Sequence, residues 1–141
     1  MTNKIQKALI GGIIGTAVMS FVMMIAPMMG MPKMSPPAML SMLMGVPIIV
    51  GWMMHFMIGI IFSMAYAFIF INVIKMVGYN ILKGAIFGIA VFIFAQIMMA
   101  IMGMMFPMPP MEGSMILMMV GSIMGHVIFG ITVAMIVKEQ A

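Results

Sequence analysis

Two histidines and a large set of methionines are the residues of this sequence with clear ligand chemistry. His55 and His126 both lie within long apolar segments, where polar side chains are costly and are therefore functional candidates. An imidazole nitrogen binds transition metals or haem iron, and a thioether sulfur is a soft, uncharged ligand that suits Cu(I). The sequence contains no cysteine, so thiolate metal sites and iron–sulfur clusters are excluded.

The methionines are unevenly distributed along the chain. There are 28 of them, and methionine acting only as a flexible replacement for leucine would be spread evenly. All but Met1, Met64, Met76 and Met135 fall in one half of the apolar segments or in the loops next to that half. This asymmetry predicts a soft-metal site at one end of the molecule.

Four apolar segments must position these residues. They cover approximately residues 5–27, 47–71, 81–106 and 114–137, and each is close to the ~20 residues with which a helix crosses a bilayer. The first gap has room for a short interfacial helix near residues 37–44. Only 6% of the residues are charged, against roughly a quarter in soluble domains. The sequence therefore predicts an all-α, polytopic membrane protein of one domain, with the lipid bilayer as its surroundings.

The lysines predict the orientation of these segments. Only Lys33 lies on one side of the membrane, and the other five lie on the opposite side: Lys4, Lys7, Lys75, Lys83 and Lys138. By the positive-inside rule both termini are cytoplasmic, and the methionine-rich loops face outward. We expect the protein in the cell inner (cytoplasmic) membrane.

The chain also contains an internal repeat. Residues 51–59 match residues 122–130, which aligns the two histidines, and residues 7–12 match residues 83–88. Each half is then one helical hairpin, and the two tandem hairpins run in the same direction. Such halves are related by a pseudo-twofold axis along the membrane normal.

The repeat divides the chain into halves at approximately residues 1–75 and 76–141, and it pairs Ser20 with Gln96. Counted from the outer helix ends, these two residues and both histidines lie roughly 10–18 Å deep and form one polar layer. Met23 and Met99 each follow the polar residue of their segment by three positions. The predicted metal ligands are His55, His126, Met23, Met99 and Met119, with Ser20 and Gln96 as supporting polar residues.

Two resemblances accompany these patterns. Pairs spaced Met-(x)3-Met, such as Met19 with Met23, resemble those of eukaryotic copper transporters, but those proteins are three-helix trimers and match the chain nowhere else. Over nearly its whole length, the chain is similar to a family of small, uncharacterised four-helix bacterial membrane proteins. The segments that carry this similarity are residues 29–34, residues 51–55 and the Gly125-His126 pair. This resemblance implies a four-helix fold and brings no established activity or site.

Three functions are consistent with the sequence. The first is a protein that binds or hands on Cu(I) at the outer face. The second is a b-type cytochrome in which His55 and His126 are the axial ligands of one haem and nearby glycines admit the flat cofactor. The third is a small accessory subunit of a larger, respiratory-type membrane complex, or a homo-oligomer, in which the methionines form an adaptable contact surface.

Two classes of function find no support in the sequence. Glu112 and Glu139 are the only carboxylate side chains and lie in a loop and a tail, and no serine lies in a nucleophile motif, so we expect no enzymatic activity. The few lysines form no basic patch with interleaved aromatic residues, so we expect no nucleic-acid binding.

Overall fold

The computed structural model describes residues 2–107 and 113–138, and in these ranges four helices are long and apolar enough to cross a membrane. These helices are α1 (Thr2–Ile25), α3 (Ile48–Ala65), α4 (Asn80–Met105) and α5 (Met115–Ile136), and a short helix, α2 (Pro36–Met44), lies between α1 and α3. The predicted all-α membrane protein of four spans is confirmed. Met108, Met111 and both glutamates lie outside the described residues.

Prolines and left-handed glycines shape the connection between α1 and α3. After α1 a 3-10 turn over Ala26–Met29 ends at Gly30, which has a φ of 83°. At the start of α2 the Oγ of Ser35 accepts a hydrogen bond from the backbone N–H of Ala38 (3.4 Å), and the helix ends at Gly45 with a φ of 63°. Glycine adopts such angles without the steric cost of a Cβ. The short helix expected near residues 37–44 is present as α2.

The spanning helices alternate in direction, so their ends form two groups. We call the end with Ile25, Ile48, Met105 and Met115 the methionine-rich end, and the opposite end the lysine-rich end. At the lysine-rich end α3 continues into a π-helical turn over Tyr66–Phe70. The Nζ of Lys4 lies 5.2 Å from the centroid of the Phe68 ring, so the start of α1 meets the end of α3 there.

Glycines bring the two helices of each hairpin into backbone contact. A Cβ on Gly12 of α1 would lie 2.6 Å from the Cα of Ile60 in α3. A Cβ on Gly84 of α4 would lie 2.5 Å from the Cα of Ile131 in α5. Real Cβ atoms do not approach a backbone so closely, and small residues are what permit it in membrane helices. The same contact therefore recurs in both hairpins.

This recurring contact corrects the alignment of α1 with α4. Gly12 corresponds by its contacts to Gly84, whereas the sequence match paired it with Gly88, one helical turn further on. In the corrected register the counterpart of Ser20 is Phe92, and not Gln96. Gly84 and Gly88 lie on the same face of α4 and both touch α5, so a short sequence match did not distinguish them.

The contacts between the two hairpins differ from each other. Gly11 and Gly15 let α1 pack closely on α5, where a Cβ on Gly15 would lie 3.0 Å from the ring of Phe129. The corresponding residues of α4 are Lys83 and Phe87, both 3% exposed. Here α3 and α4 meet through aromatic rings, which leave a crevice of about 200 Å³ between them. The bundle is therefore tight between α1 and α5 and looser between α3 and α4.

We predict that Gly130→Ala destabilises the protein by about 1–3 kcal/mol, the usual cost of overpacking. Its Cβ would lie 2.6 Å from the backbone nitrogen of Gly88, and two helix backbones would have to separate. Gly78→Ala is the matched control, because a Cβ there meets nothing within 4 Å. Thermal unfolding in detergent measures the difference, and equal stability of the two variants would contradict the packing described.

Candidate metal centre

His55 is directed from α3 toward α1. Its side chain is buried, and its Nε2 lies 3.2 Å from the Oγ of Ser20. Thr16, one turn before Ser20, packs directly against Gly59, so this face of α1 is the one that meets α3. The imidazole and the hydroxyl therefore satisfy each other inside the first hairpin.

His126 has a different set of partners in the second hairpin. Its Nδ1–H donates a hydrogen bond to the backbone carbonyl of Ser122 (2.7 Å). A carbonyl oxygen only accepts, so Nδ1 carries a proton, and in the neutral imidazole Nε2 then keeps its lone pair. The ring of Phe92 in α4 meets the imidazole edge-on, with centroids 5.9 Å apart. A backbone carbonyl holding the other ring nitrogen is typical of histidines that bind metals.

The structure does not gather all the predicted ligands into one enclosed site. His55 hydrogen-bonds to Ser20 of α1, whereas His126 contacts the ring of Phe92 in α4. Met119 is 48% exposed. Gln96 is also on the surface, and Met99 is half-buried. Of the predicted methionine ligands, Met23 alone is buried in the bundle.

Met23 belongs instead to a group of methionines that pack against glycines of α5. Its Sδ lies 3.0 Å from the point where a Cβ on Gly125 would stand. The methyl carbon of Met19, one turn earlier on α1, lies 3.4 Å from the same point. Met19 and Met23 are 5% and 4% exposed. Two buried thioethers therefore occupy the space that a side chain at Gly125 would fill.

The loop between α1 and α2 adds two more thioethers at the next turn of α5. The Sδ of Met34 lies 3.4 Å from the Cβ position of Gly121, and the methyl carbon of Met31 lies 3.2 Å from it. Gly121 and Gly125 are about 6 Å apart along the helix axis. We call these four methionines the thioether cluster: Met19, Met23, Met31 and Met34.

The chemistry of this cluster is that of a soft-ligand site. Among the described residues, no group of three or more His, Cys, Asp or Glu side chains lies close enough together to hold a metal ion. The donors available are therefore uncharged sulfurs, which select Cu(I) over harder ions. A thioether has no proton to lose when it binds a metal ion. Because it is uncharged, it can also be buried in the apolar interior without a charged partner.

Part of this cluster was visible in the sequence. The sequence predicts Met23 as a ligand, and the uneven distribution places the loop methionines at the end where it predicts a soft-metal site. Their meeting point was missed, because it depends on Gly121 and Gly125 of a helix nearly a hundred residues away. The pair Gly121-(x)3-Gly125 was the available signal, since small residues at this spacing mark a helix face that approaches a neighbour.

Comparison with known proteins gives a family without an activity. Residues 2–140 match the model of DUF6789, a family of unknown function. The chain belongs to this family. No curated protein and no solved structure matches it. The expected membership of an uncharacterised family is confirmed, and the comparisons assign no role to any residue.

The glycines near the histidines do not make room for a haem. Gly51 and Gly59, each one turn from His55, are covered by the start of α2 and by α1. Gly130, one turn from His126, is covered by the backbone of α4. The space expected for a flat cofactor thus holds neighbouring protein, and the Nε2 of His55 is already hydrogen-bonded. These residues do not fit one haem between both imidazoles, and we derive no function through it.

We predict that Ser20→Ala lowers the free energy of unfolding by about 0.5–1.5 kcal/mol, because it leaves the buried imidazole of His55 without its partner. Gln96→Ala is the control, and its effect should stay within about 0.5 kcal/mol because Gln96 is exposed. Unfolding by titration with a denaturing detergent compares the two. Equal losses would contradict the corrected register of α1 and α4.

Proposed function

We propose that this membrane protein binds Cu(I) through the thioether cluster, with the methionine-rich end facing the non-cytoplasmic side. The observation that carries the proposal is the convergence of four methionines from α1 and the following loop on adjacent glycines of α5. Without these glycines, side chains of α5 would fill the volume that the sulfurs occupy. The arrangement supports a site for a soft ion and gives the uneven methionine distribution a physical reason.

Exposed methionines supply a route to this cluster. Four of them at the ends of α1 and α4 are at least 70% exposed: Met28, Met29, Met104 and Met105. In the proposal these thioethers capture Cu(I) at the membrane surface and pass it to the buried pair Met19 and Met23. Capture, storage or delivery is favoured over full transport, because the lysine-rich half holds few methionines to continue the path.

The two imidazoles have a secondary place in this proposal. His126 offers a lone pair on Nε2, and its Nδ1–H is already fixed by the carbonyl of Ser122. His55 is engaged by Ser20 on the face of α1 that meets α3, whereas Met19 and Met23 meet α5. Ligation of copper by both histidines and an accessory-subunit or homo-oligomer role stay hypotheses. The haem alternative is not proposed, because neighbouring protein covers the glycines beside both histidines.

We predict that the double substitution Met23→Leu, Met34→Leu weakens Cu(I) binding by at least about tenfold. Mutation of residues that only contact a metal ligand already lowers metal affinity by this much, and here the ligands themselves are removed. Leucine has nearly the volume of methionine and preserves the packing. The measurement is competition with a chromophoric Cu(I) chelator under reducing conditions in detergent. Met104→Leu, Met105→Leu is the matched control, because these side chains are exposed and should affect capture more than affinity.

The result that would end the copper proposal is a wild-type protein that takes up no Cu(I) in this assay. A second double variant, which combines His55→Phe with His126→Phe, tests where the ion binds. If the thioether cluster suffices, this variant keeps most of the affinity. Loss of copper from the histidine variant with full retention in the methionine variant would move the site to the imidazoles.

A further inference from the structure

A second cavity opens beside the first hairpin near the methionine-rich end. It has a volume of about 620 Å³, and we call it the outer crevice. Helix α1, the loop before α2, and the first half of α3 line it, with Ala17, Phe21, Met24, Lys33, Trp52 and Phe56 among its walls. Phe21 and Met24 are mostly exposed, so the crevice opens sideways, toward the lipid, as well as toward the surface.

The two ends of the outer crevice differ in polarity. It extends from Pro27, in the 3-10 turn after α1, down to Ala17 of α1, which is about 15 Å of depth. Its deep part is bordered by aromatic and aliphatic side chains, and Ser20 there is already hydrogen-bonded to His55. At the mouth lies Lys33, the only charged residue of the described chain at the methionine-rich end. The cavity is therefore elongated and apolar, with a cation at its entrance.

We propose that the outer crevice binds an anionic phospholipid of the outer leaflet. The phosphate of the headgroup pairs with the ammonium group of Lys33, and an acyl chain lies along Phe21 and Phe56. Charge complementarity selects an anionic headgroup over a zwitterionic one, since a lysine at the membrane surface attracts anionic lipid. Met23 and Met34 also border the crevice, so the bound lipid covers the thioether cluster from the side.

The chain offers a built-in reporter for this site. Trp52 is the only tryptophan and lines the crevice, so a lipid bound there with brominated acyl chains quenches its fluorescence. The protein is reconstituted in phosphatidylcholine vesicles that contain small fractions of brominated phosphatidylglycerol or brominated phosphatidylcholine with the same acyl chains. We expect quenching at a lower mole fraction of phosphatidylglycerol.

Lysine variants test the role assigned to Lys33. Lys33→Gln should reduce the preference for phosphatidylglycerol about fivefold, and Lys33→Arg should retain it. Lys75→Gln is the matched control, because Lys75 is also exposed but lies at the lysine-rich end, away from Trp52. Equal quenching by both lipids in the wild-type protein, or an equal loss in Lys75→Gln, would overturn the proposal.

Two further arms of the experiment distinguish lipid binding from the binding of a neutral ligand and from copper binding. The first arm adds a long-chain quinone to the wild-type protein and to Lys33→Gln. If the quinone quenches Trp52 equally in both, and the wild-type protein shows no preference for phosphatidylglycerol over phosphatidylcholine, the crevice binds a neutral ligand instead. The variant Met23→Leu, Met34→Leu keeps apolar walls and should keep the lipid preference. Copper binding and lipid binding can therefore fail independently.

Discussion

In a lipid bilayer, apolar side chains gain little by leaving lipid for a helix interface, so helices associate through close packing and a few polar contacts. In this protein the close packing depends on glycines. Gly12 and Gly59 join α1 to α3, and Gly84, Gly88 and Gly130 join α4 to α5. Each set brings two helices to distances that a single methyl group would prevent, and these two contacts fix how the helices of each hairpin face each other.

The same residue type has a second use on α5. At Gly121 and Gly125 the nearest atoms among the described residues belong to methionine side chains, those of the thioether cluster. The other interface between the two hairpins, where α3 and its π-helical turn face α4, is filled instead by the rings of Tyr66, Phe70 and Phe87. The bundle therefore has an aromatic, methionine-poor half at the lysine-rich end and a sulfur-rich half at the other, which is the asymmetry that the proposed functions use.

The two histidines show how a repeated sequence acquires unequal surroundings. His55 and His126 occupy equivalent positions, but the residue facing each from the partner helix is Ser20 in one hairpin and Phe92 in the other. One imidazole is held by a hydroxyl, and the other turns back to its own helix carbonyl. The ring nitrogens of His55 and His126 therefore differ in their availability to a ligand, although the two residues occupy equivalent positions in the repeat.

The sequence by itself determined the membrane location, the four spans, the short helix between the first two spans and the methionine-rich end, because these follow from hydropathy, helix breakers and composition. It also predicted Met23 as a soft ligand and placed Ser20 and His55 in one polar layer. The tertiary structure alone decided the register of α1 against α4 and the meeting of the cluster with Gly121 and Gly125. The reason is that one helical turn changes little in a hydropathy pattern but changes every contact across a helix interface.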